Sequence, residues 1–585
     1  MKKFNSKLEQ LRSKLVKLKI PAKIIFLVVG ILSTIWFLVR VIPKPSRAGY
    51  PCMQAAAPLM SGFVLWILSL TGSVLMFKKS FDRFKKARYT AALGFVLIGF
   101  ILILIFSYNN VNKLYAGSSF AKTELSDSPN TPMGQSYGIF PGRVVWAYNP
   151  SATNEKCANT LSDAYYQPQN NNQDTINLMA DNAVKTLSNK TTVKDAWNAI
   201  IKDFNLRKTG KASGYTAGQT IFIKVNNGQA GWAIDIRTLA ESRTRVPISG
   251  TTPSAVLAFI RQLVDSCGIP QNRIYVGEPM THVYKHTYDV IHARYPNVVV
   301  LDKDNHTDLG RTTSAGWTDN VIFYSDKGQV MPDGISDKMM KEMYDADYMI
   351  NFAALKAHAR AGISLGAKNH LGSHGEHGKK YGFGTFYLHN GLVATRDNDD
   401  LSNTAATQYH VYRVCVDMMA HKKLGLNTVL FIVDGLWGGT EAIEKAVKWN
   451  STPFNNSWPN SIFVAQDQVA IESVCLDFLR AEALVNPAFK NRPLFPAVDD
   501  YLHQAADKSN WPKGIIYDPD ADGVVIASLG VHEHWNNSTD KQYTQNLSSS
   551  RDGIDLVSFP ANLVIHNGKS LIDKKIKPSG IQDKK

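Results

Sequence analysis

Residues 348–378 read YMINFAALKAHARAGISLGAKNHLGSHGEHG, and this stretch decides how the chain folds. Its first five residues are mostly β-favouring and apolar, which is typical of a buried strand. We predict that the strand breaks at residues 351–354, where small side chains begin. The glycines that follow let backbone N–H groups approach a ligand closely. The stretch therefore predicts a buried strand that leads into a ligand-binding loop.

The segment after this strand is basic. No Asp or Glu lies between Asp347 and Glu376. The basic side chains inside it are Lys356, His358, Arg360, Lys368, His370 and His374. Because the segment contains no acidic side chain, its positive charge is neutralised either by an anionic ligand or by carboxylates from elsewhere in the chain. We favour the anionic ligand.

Three segments of the sequence resemble one known family. They are NFAALKAHARAGISLGAKNHLGS at 351–373, IKVNN at 223–227 and QDQVAIESVCLDFL at 466–479. Together they resemble the domain-of-unknown-function 362 family over roughly residues 215–480. SLGVHEHWNN, at 528–537, is similar to the C-terminal mark of a membrane-anchored branch. The family has no established activity, so the resemblance implies kinship and no reaction.

The charge of the chain is concentrated at its N-terminus. Residues 1–115 hold 13 Lys and 5 Arg against Glu9 and Asp82, a net charge of +16 that equals the net charge of the whole protein. The other 470 residues carry 47 basic and 47 acidic side chains. A nucleic-acid-binding face needs its excess charge on the folded domain, so we predict no nucleic-acid partner.

The same N-terminal region contains three apolar runs without Asp or Glu, at residues 24–39, 55–77 and 89–108. Each approaches the roughly 20 residues that cross a bilayer, so we predict three transmembrane helices. Residues 1–23 carry eight Lys and Arg and residues 78–88 carry six, whereas the loop at 40–54 carries three. The positive-inside rule then places the N-terminus in the cytoplasm and the large domain in the periplasm of a bacterial inner (cytoplasmic) membrane.

We predict three regions: a membrane anchor at 1–115, a polar linker at 116–137 and an extracytoplasmic domain at 138–585. In that domain predicted strands at 220–225, 273–276, 298–301, 347–352, 428–433 and 462–465 are interspersed with helices at 253–267, 284–294, 404–423 and 467–481. This alternation predicts an α/β fold, a mostly parallel sheet with helices on both faces. Thr192 and Thr252 are predicted helix N-caps.

Polar residues follow several of the predicted strands. In open α/β sheets ligands bind beyond the carboxyl ends of the strands, so these residues are candidates for one site. The candidate catalytic residues are Asp434, Glu278 and Lys368. The candidate anion-binding residues are Lys224, Asn226, Lys356, His358 and Asn369. Each strand-end residue has an equally good interpretation as a helix cap or turn former.

The histidines predict a metal site. His532 and His534 stand two apart, and in an extended segment both side chains leave one face while Glu533 points to the other. We predict that His370 and His374 join them as ligands of a divalent ion such as zinc. A C-terminal flap sealed by these side chains is the alternative. The four cysteines after the anchor contain no C-x-x-C pair, so we predict no iron–sulfur cluster.

Two functional hypotheses follow. The first is a membrane-anchored, metal-assisted enzyme that acts on an anionic substrate outside the cytoplasm. The second is a binding or assembly protein of the cell envelope that captures an anionic small molecule, an envelope polymer or a partner protein. The enzyme hypothesis loses most of its support if Asp434, His370 and His534 lie far apart. No nucleotide-type glycine motif follows any predicted strand.

Overall fold

The computed structural model describes residues 127–242, 247–319, 321–327, 337–375, 408–490 and 492–564, with Leu392 and a few residues between 39 and 96. The chain divides into two compact units, Met1–Glu124 and Leu125–Lys585. The three predicted spans lie almost entirely outside the described residues. Within the described part, no helix is both long and apolar enough to cross a bilayer.

The described strands of the second unit form one nine-stranded sheet and two small two-stranded sheets. The strands are β1 (Met133–Gly134), β2 (Arg143–Tyr148), β3 (Ile221–Lys224), β4 (Ile234–Asp235), β5 (Ala240–Glu241), β6 (Ile274–Glu278), β7 (Val299–Asp302), β8 (Tyr348–His358), β9 (Gly362–Ile363), β10 (Thr428–Gly439), β11 (Ser461–Ala465), β12 (Val531–His532) and β13 (Asp555–Phe559).

The order of the large sheet is β13-β2-β11-β10-β8-β3-β6-β7, with β9 beside β8. Strands β10, β8, β3, β6 and β7 are parallel, whereas β11 runs antiparallel to both of its neighbours. The predicted α/β fold with a mostly parallel sheet is therefore confirmed. The parallel strands end at one edge, where Lys224, Glu278 and Asp302 are the last residues of β3, β6 and β7.

The α-helices pack against this sheet. They are α1 (Gln173–Ser188), α2 (Val193–Thr209), α3 (Pro253–Arg261), α4 (Lys285–His292), α5 (Lys341–Asp345), α6 (Gly366–His370), α7 (Val414–Ala420), α8 (Gln468–Val485), α9 (Asp500–Ala506) and α10 (Thr544–Leu547). Side chains that alternate along β3 enter two apolar cores: Ile221 and Ile223 pack with α1, α2 and α3, whereas Phe222 packs with α7, α8 and α9. Each face of the sheet is thus covered by helices.

Strand β8 runs unbroken from Tyr348 to His358, and all of its residues are buried. The predicted break at residues 351–354 is therefore wrong. Asn351 remains inside the strand because its side chain donates to Gly366 O at 2.9 Å and accepts from Asn369 Nδ2 at 2.9 Å. With these bonds made, a polar residue is tolerated in a buried strand.

Both predicted N-cap residues precede helices, but one lacks its capping bond and one predicted helix is shorter in the structure. Thr192 caps α2 as predicted, and its hydroxyl accepts from Asp195 N at 3.1 Å. The Thr252 side chain makes no capping bond to α3; its own N–H donates to Asp434 Oδ2 at 2.6 Å. The predicted helix at 404–423 is reduced to α7 within the described residues. Residues 408–413 are not helical, because Asp500 accepts from the His410 backbone N–H instead.

Candidate functional site

His532 and His534 lie in the interior of the domain with three further ligand-type side chains. We define the buried cluster as Asp127, Asp499, His503, His532 and His534. The Asp127 carboxylate lies 3.2 Å from His503 Nε2 and 3.4 Å from His532 Nε2. His534 Nε2 lies 3.5 Å from Asp499 Oδ2. The cluster consists of two overlapping triads, each of which could hold a metal ion.

Three separate parts of the chain supply these groups. His532 ends β12, which pairs antiparallel with β1. Helix α9 carries His503, and its N-cap residue is Asp499, so the two side chains stand at i and i+4 on one face. Asp127 comes from the segment before β1, where Asn130 N donates to His534 O at 2.9 Å. The cluster therefore depends on tertiary structure and on residues nearly 400 positions apart.

Helix α8 fixes the orientation of the two C-terminal imidazoles. His534 Nδ1 lies 2.7 Å from Asp477 Oδ1, and His532 Nδ1 lies 2.8 Å from Ser473 Oγ. Both rings consequently direct Nε2 into the cluster. Arg480 Nη1 lies 2.9 Å from the Asp499 carboxylate. Outer contacts of this kind set the tautomer and orientation of metal-ligating histidines.

The inward-facing nitrogens suit a bound ion. The Nε2 atoms of His503, His532 and His534 are buried and make no hydrogen bond within the described residues. Each of these nitrogens lies 3.2–3.5 Å from a carboxylate oxygen instead, an arrangement that a bound cation could bridge. In a tetrahedral site with bonds of about 2.0–2.1 Å, neighbouring ligand atoms are about 3.3 Å apart. The separations of 3.2 and 3.4 Å in the first triad and 3.5 Å in the second are compatible with this spacing, whereas Asp127 and His534, from different triads, are 4.0 Å apart.

The charge of the site also fits a divalent cation. The carboxylates of Asp127, Asp477 and Asp499 all contact imidazoles of the cluster, and the Arg480 guanidinium pairs with Asp499, so with neutral imidazoles two negative charges remain. Burial lowers the pKa of His532 to about 4, which keeps this imidazole neutral and able to ligate. Burial alone would lower the pKa of His534, but the carboxylates of Asp477 and Asp499 outweigh this effect and raise the pKa to about 10. Ligation of a metal ion by His534 would therefore release a proton from this imidazole.

Sequence reasoning predicted part of this arrangement. Glu533 points away from the two histidines, as predicted, and its carboxylate accepts from Thr544 Oγ1 at 2.6 Å. Asp499, His503 and Asp127 were not predicted as ligands. The D-x-x-x-H spacing at 499–503 was a usable signal, because it places both groups on one face of a helix. Asp127 lies in the predicted linker and carries no such signal.

Several predicted site residues do meet at the carboxyl edge of the sheet. Lys224 and Glu278 form a buried ion pair, with Nζ 2.7 Å from Oε1. Lys224 Nζ also donates to Asn369 Oδ1 at 3.0 Å, and Asn369 Nδ2 donates to Asn351. The Glu278 carboxylate accepts from Asn227 N at 2.8 Å. The structure thus joins two predicted anion-binding residues to one predicted catalytic residue.

Asp434, Asn226 and Lys356 contact the segment that precedes α3. Asp434 accepts from the backbone N–H of Thr252, and burial raises its pKa to about 6. The Asn226 N–H donates to Thr251 Oγ1 at 2.8 Å. Lys356 Nζ donates to the Ser249 carbonyl at 2.6 Å, and burial lowers its pKa to about 7. These contacts hold residues 249–252 against β8, β10 and the segment after β3, so the side chains of Asp434 and Lys356 have a structural task.

His358 ends β8 and Lys368 lies in α6, on either side of β9 in the sequence. His358 Nδ1 accepts from the backbone N–H groups of Arg360 and Ala361, which closes the turn between β8 and β9. Lys368 lines a cavity of ≈ 10 Å³ together with Tyr501 and other residues. Burial lowers the pKa of Lys368 to about 8. Its ammonium group therefore remains largely protonated at neutral pH.

His370 and His374 lie outside the buried cluster. His370 is buried, and neither ring nitrogen has a hydrogen-bond partner among the described residues. Burial lowers its pKa to about 3, so the ring is neutral. His374 Nδ1 lies 3.5 Å from Asp337 Oδ2. Neither histidine belongs to a metal-type group within the described chain, and their role as ligands stays a prediction.

Carboxylates from elsewhere in the chain do approach the basic stretch. Glu472 of α8 accepts from the Ala367 N–H, and Glu441 accepts from the Ala359 N–H at 2.6 Å. Tyr501 of α9 donates its hydroxyl to Glu472. The basic stretch is therefore hydrogen-bonded to the helix layer that carries the buried cluster. Contact with carboxylates from elsewhere in the chain is what the alternative to an anionic ligand predicts.

A third group that could hold a metal ion consists of His282, Asp302 and His306. Asp302 is the last residue of β7, and the two histidines lie in loops that follow β6 and β7. This group is therefore at the carboxyl edge of the sheet, apart from the segments that build the buried cluster.

Comparison with protein families assigns the central part of the chain. Residues 246–477 match a family model described as Domain of unknown function (DUF362). The predicted resemblance is confirmed for this span, whereas IKVNN at 223–227 and VHEHW at 531–535 lie outside it. The match gives no support for a membrane-anchored branch. No curated protein matches the chain.

Proposed function

We propose that the chain is a metal-assisted enzyme that acts on an anionic substrate, with a divalent ion held by the buried cluster. The observation that carries the proposal is the convergence of three imidazoles and two carboxylates from three chain segments. Imidazole and carboxylate ligands favour zinc or a related transition metal. Asp127 and His503, with side chains 11% and 9% exposed, form the most accessible side of the site.

The anionic substrate is proposed from the cations near α9. Lys368 and Arg413 line the small cavity together with Val498 and Tyr501. Val498 directly precedes the ligand Asp499, and Tyr501 lies between Asp499 and His503 in sequence. A substrate oxygen bound by Lys368 would therefore lie against α9, the helix that carries His503 and follows Asp499. The cavity has room for about one water molecule, so substrate entry requires it to widen.

The location is part of the same proposal. The anchor at 1–115 holds the domain at the outer face of a cytoplasmic membrane, with its N-terminus inside. Support comes from the N-terminal excess of basic residues, which follows the positive-inside pattern.

One observation favours a second function, that of a binding or assembly protein. The side chains of Asp499, His532 and His534 have no exposed surface. Structural metal sites are closed in this way, whereas catalytic sites keep a coordination position open. In that case the ion stabilises the domain, and the basic loop binds an envelope ligand without chemistry.

The test is metal analysis of the full-length protein purified in detergent. We expect about one tightly bound divalent ion at the buried cluster, lost in His532→Ala. Hydrolysis of a panel of phosphate and carboxylate esters should stop on chelation and return with zinc. Metal without any hydrolysis, together with retained binding of anionic envelope polymer, would select the second function. A protein without stoichiometric metal that is unaffected by His532→Ala would end both versions.

A further inference from the structure

We propose that His282, Asp302 and His306, here called the edge triad, form a second and more accessible site for a divalent transition-metal ion. The edge triad lies where parallel α/β sheets bind their ligands, beyond the carboxyl ends of the strands. Asp302 ends β7 and is the register partner of Glu278, which ends β6. The buried Lys224–Glu278 ion pair therefore lies at the adjacent strand ends.

The geometry of the edge triad is that of ligands around one point. His306 Nδ1 lies 3.3 Å from Asp302 Oδ1, and His282 Nδ1 lies 3.7 Å from Asp302 Oδ2. The ligand atoms of all three residues lie within 4.8 Å of one another. The side chain of Asp302 is fully buried, that of His282 is 7% exposed and that of His306 is 16% exposed. The site therefore opens toward His306.

Two buried atoms of the edge triad have no hydrogen-bond partner in the described part of the chain. They are His282 Nδ1 and Asp302 Oδ2, which face each other. Their separation of 3.7 Å is too long for a hydrogen bond. It suits a metal ion placed about 2.0–2.2 Å from each atom. A buried imidazole and a buried carboxylate that aim at each other without bonding indicate a ligand between them.

Neighbouring charges complete the site. His282 Nε2 lies 3.6 Å from the exposed carboxylate of Asp304, which can orient the ring from outside. Arg311 Nε lies 3.7 Å from Asp302 Oδ2, while its other nitrogens donate to the carbonyls of Val283 and Leu309. Arg311 is thus held by the backbone, and its charge weakens metal binding without occupying the ligand position. We expect weaker and more exchangeable binding than at the buried cluster.

Two imidazoles and one carboxylate leave coordination positions open. This ligand set is typical of sites where an ion also binds water or an oxygen of a ligand. Because the edge triad opens toward solvent at His306, an anionic oxygen can reach such an ion directly. The buried cluster lacks this access at His532 and His534, which are fully buried.

The experiment counts metal sites in the full-length protein. The chelator-treated protein is titrated with Co²⁺ alone, and bound metal is measured by equilibrium dialysis and visible absorption. We expect about two ions per chain in the wild type and about one in His306→Gln. His292→Gln is the control, since His292 contacts the Val298 carbonyl through Nε2, stacks on the Tyr288 ring and lies outside the edge triad. The control should bind as the wild type does.

The result is independent of the proposed function. His532→Ala should lose the other ion and keep the one bound by the edge triad, so failure at one site is distinguished from failure at the other. Equal Co²⁺ stoichiometry in the wild type and His306→Gln would overturn the proposal.

A second measurement needs no variant. Diethyl pyrocarbonate modification of the wild type, mapped by mass spectrometry, should label His306 in the metal-free protein and spare it at saturating Co²⁺. Unchanged labelling of His306 at saturating Co²⁺ would also overturn the proposal.

Discussion

His534 Nδ1 lies 2.7 Å from Asp477 Oδ1, and this contact directs His534 Nε2 toward Asp499. Asp477 is itself fixed, because its second oxygen accepts from Trp535 N at 3.0 Å and from the Tyr543 hydroxyl at 2.9 Å. A carboxylate held by two further donors gives the imidazole one orientation. The metal affinity of the buried cluster should therefore depend on a residue that does not touch the ion.

Asp477→Asn should lower metal affinity by about 10–100-fold, the usual cost of losing an outer carboxylate. The amide can still accept from Trp535 and Tyr543, so the fold should be retained. Competition with a chromophoric chelator measures the affinity. Asp203→Asn is the control, because Asp203 pairs only with Arg207 on the surface of α2. Equal affinity in both variants would mean that Asp477 does not orient a ligand.

If Asp127 is a ligand, metal binding should make the segment that precedes β1 more ordered. The segment is held by Asn130, whose backbone donates to His534 O and whose side chain donates to Gln542 O. Chelation should raise the rate of proteolysis near residue 127 by about tenfold, since a buried contact of a charged group contributes about 1.5–3 kcal/mol. Asp127→Ala should be cleaved rapidly with or without metal. Cleavage at the exposed 211–213 turn serves as the internal control.

The sequence allowed the pairing of His532 and His534 to be predicted because alternation along an extended segment is a local property. The contribution of Asp127 could not be predicted this way, because it depends on how distant segments pack. The error at β8 has a related cause. Alanines and Asn351 indicate a loop when considered alone, but between two helix layers small side chains fit, and Asn369 satisfies the amide.

The Lys224–Glu278 pair should behave as a buried ion pair. Lys224→Met should lower the free energy of unfolding by about 3–5 kcal/mol, because it leaves the Glu278 charge without a partner. The double variant Lys224→Met/Glu278→Leu should lose much less. Urea denaturation of both variants and of Glu278→Leu completes the cycle. Lys285→Met, which breaks the half-exposed pair with Asp289, should cost at most about 1 kcal/mol. Additive losses at Lys224 and Glu278 would contradict the coupling.

Lys356 should give the domain a defined dependence of stability on pH. Burial lowers the pKa of this amine from 10.5 to about 7. Between these values the unfolded chain carries the proton and the folded chain does not, so stability should rise with pH. The slope of this contribution is about 1.4 kcal/mol per pH unit.

Lys356→Met removes that contribution. Urea denaturation at pH 7, 8 and 9 should show the wild type gaining stability relative to Lys356→Met as the pH rises. Lys211→Met, at an exposed position, should follow the wild type at all three values. A constant difference between wild type and Lys356→Met would show that the buried amine keeps its proton.

Gly372 lies against the buried ion pair, and its lack of a side chain is required there. A Cβ atom at this position would lie 2.5 Å from Glu278 Oε1 and 3.0 Å from Lys224 Nζ. Because both groups are fully buried and bonded, they cannot move aside without losing contacts. Gly372→Ala should therefore lower the free energy of unfolding by about 1–3 kcal/mol, as overpacking does elsewhere.

Gly228 provides the comparison for Gly372, since a Cβ added there meets no atom within 4 Å. Gly228→Ala should leave the free energy of unfolding nearly unchanged, so urea denaturation of the two variants isolates the close approach. If Gly372→Ala is as stable as Gly228→Ala, the loop after α6 is free to move away from the strand ends. In that event a ligand could reach Lys224 and Glu278 by displacing the loop. If Gly372→Ala is destabilised as expected, the loop is packed in place and ligands must approach this edge from the side of the edge triad.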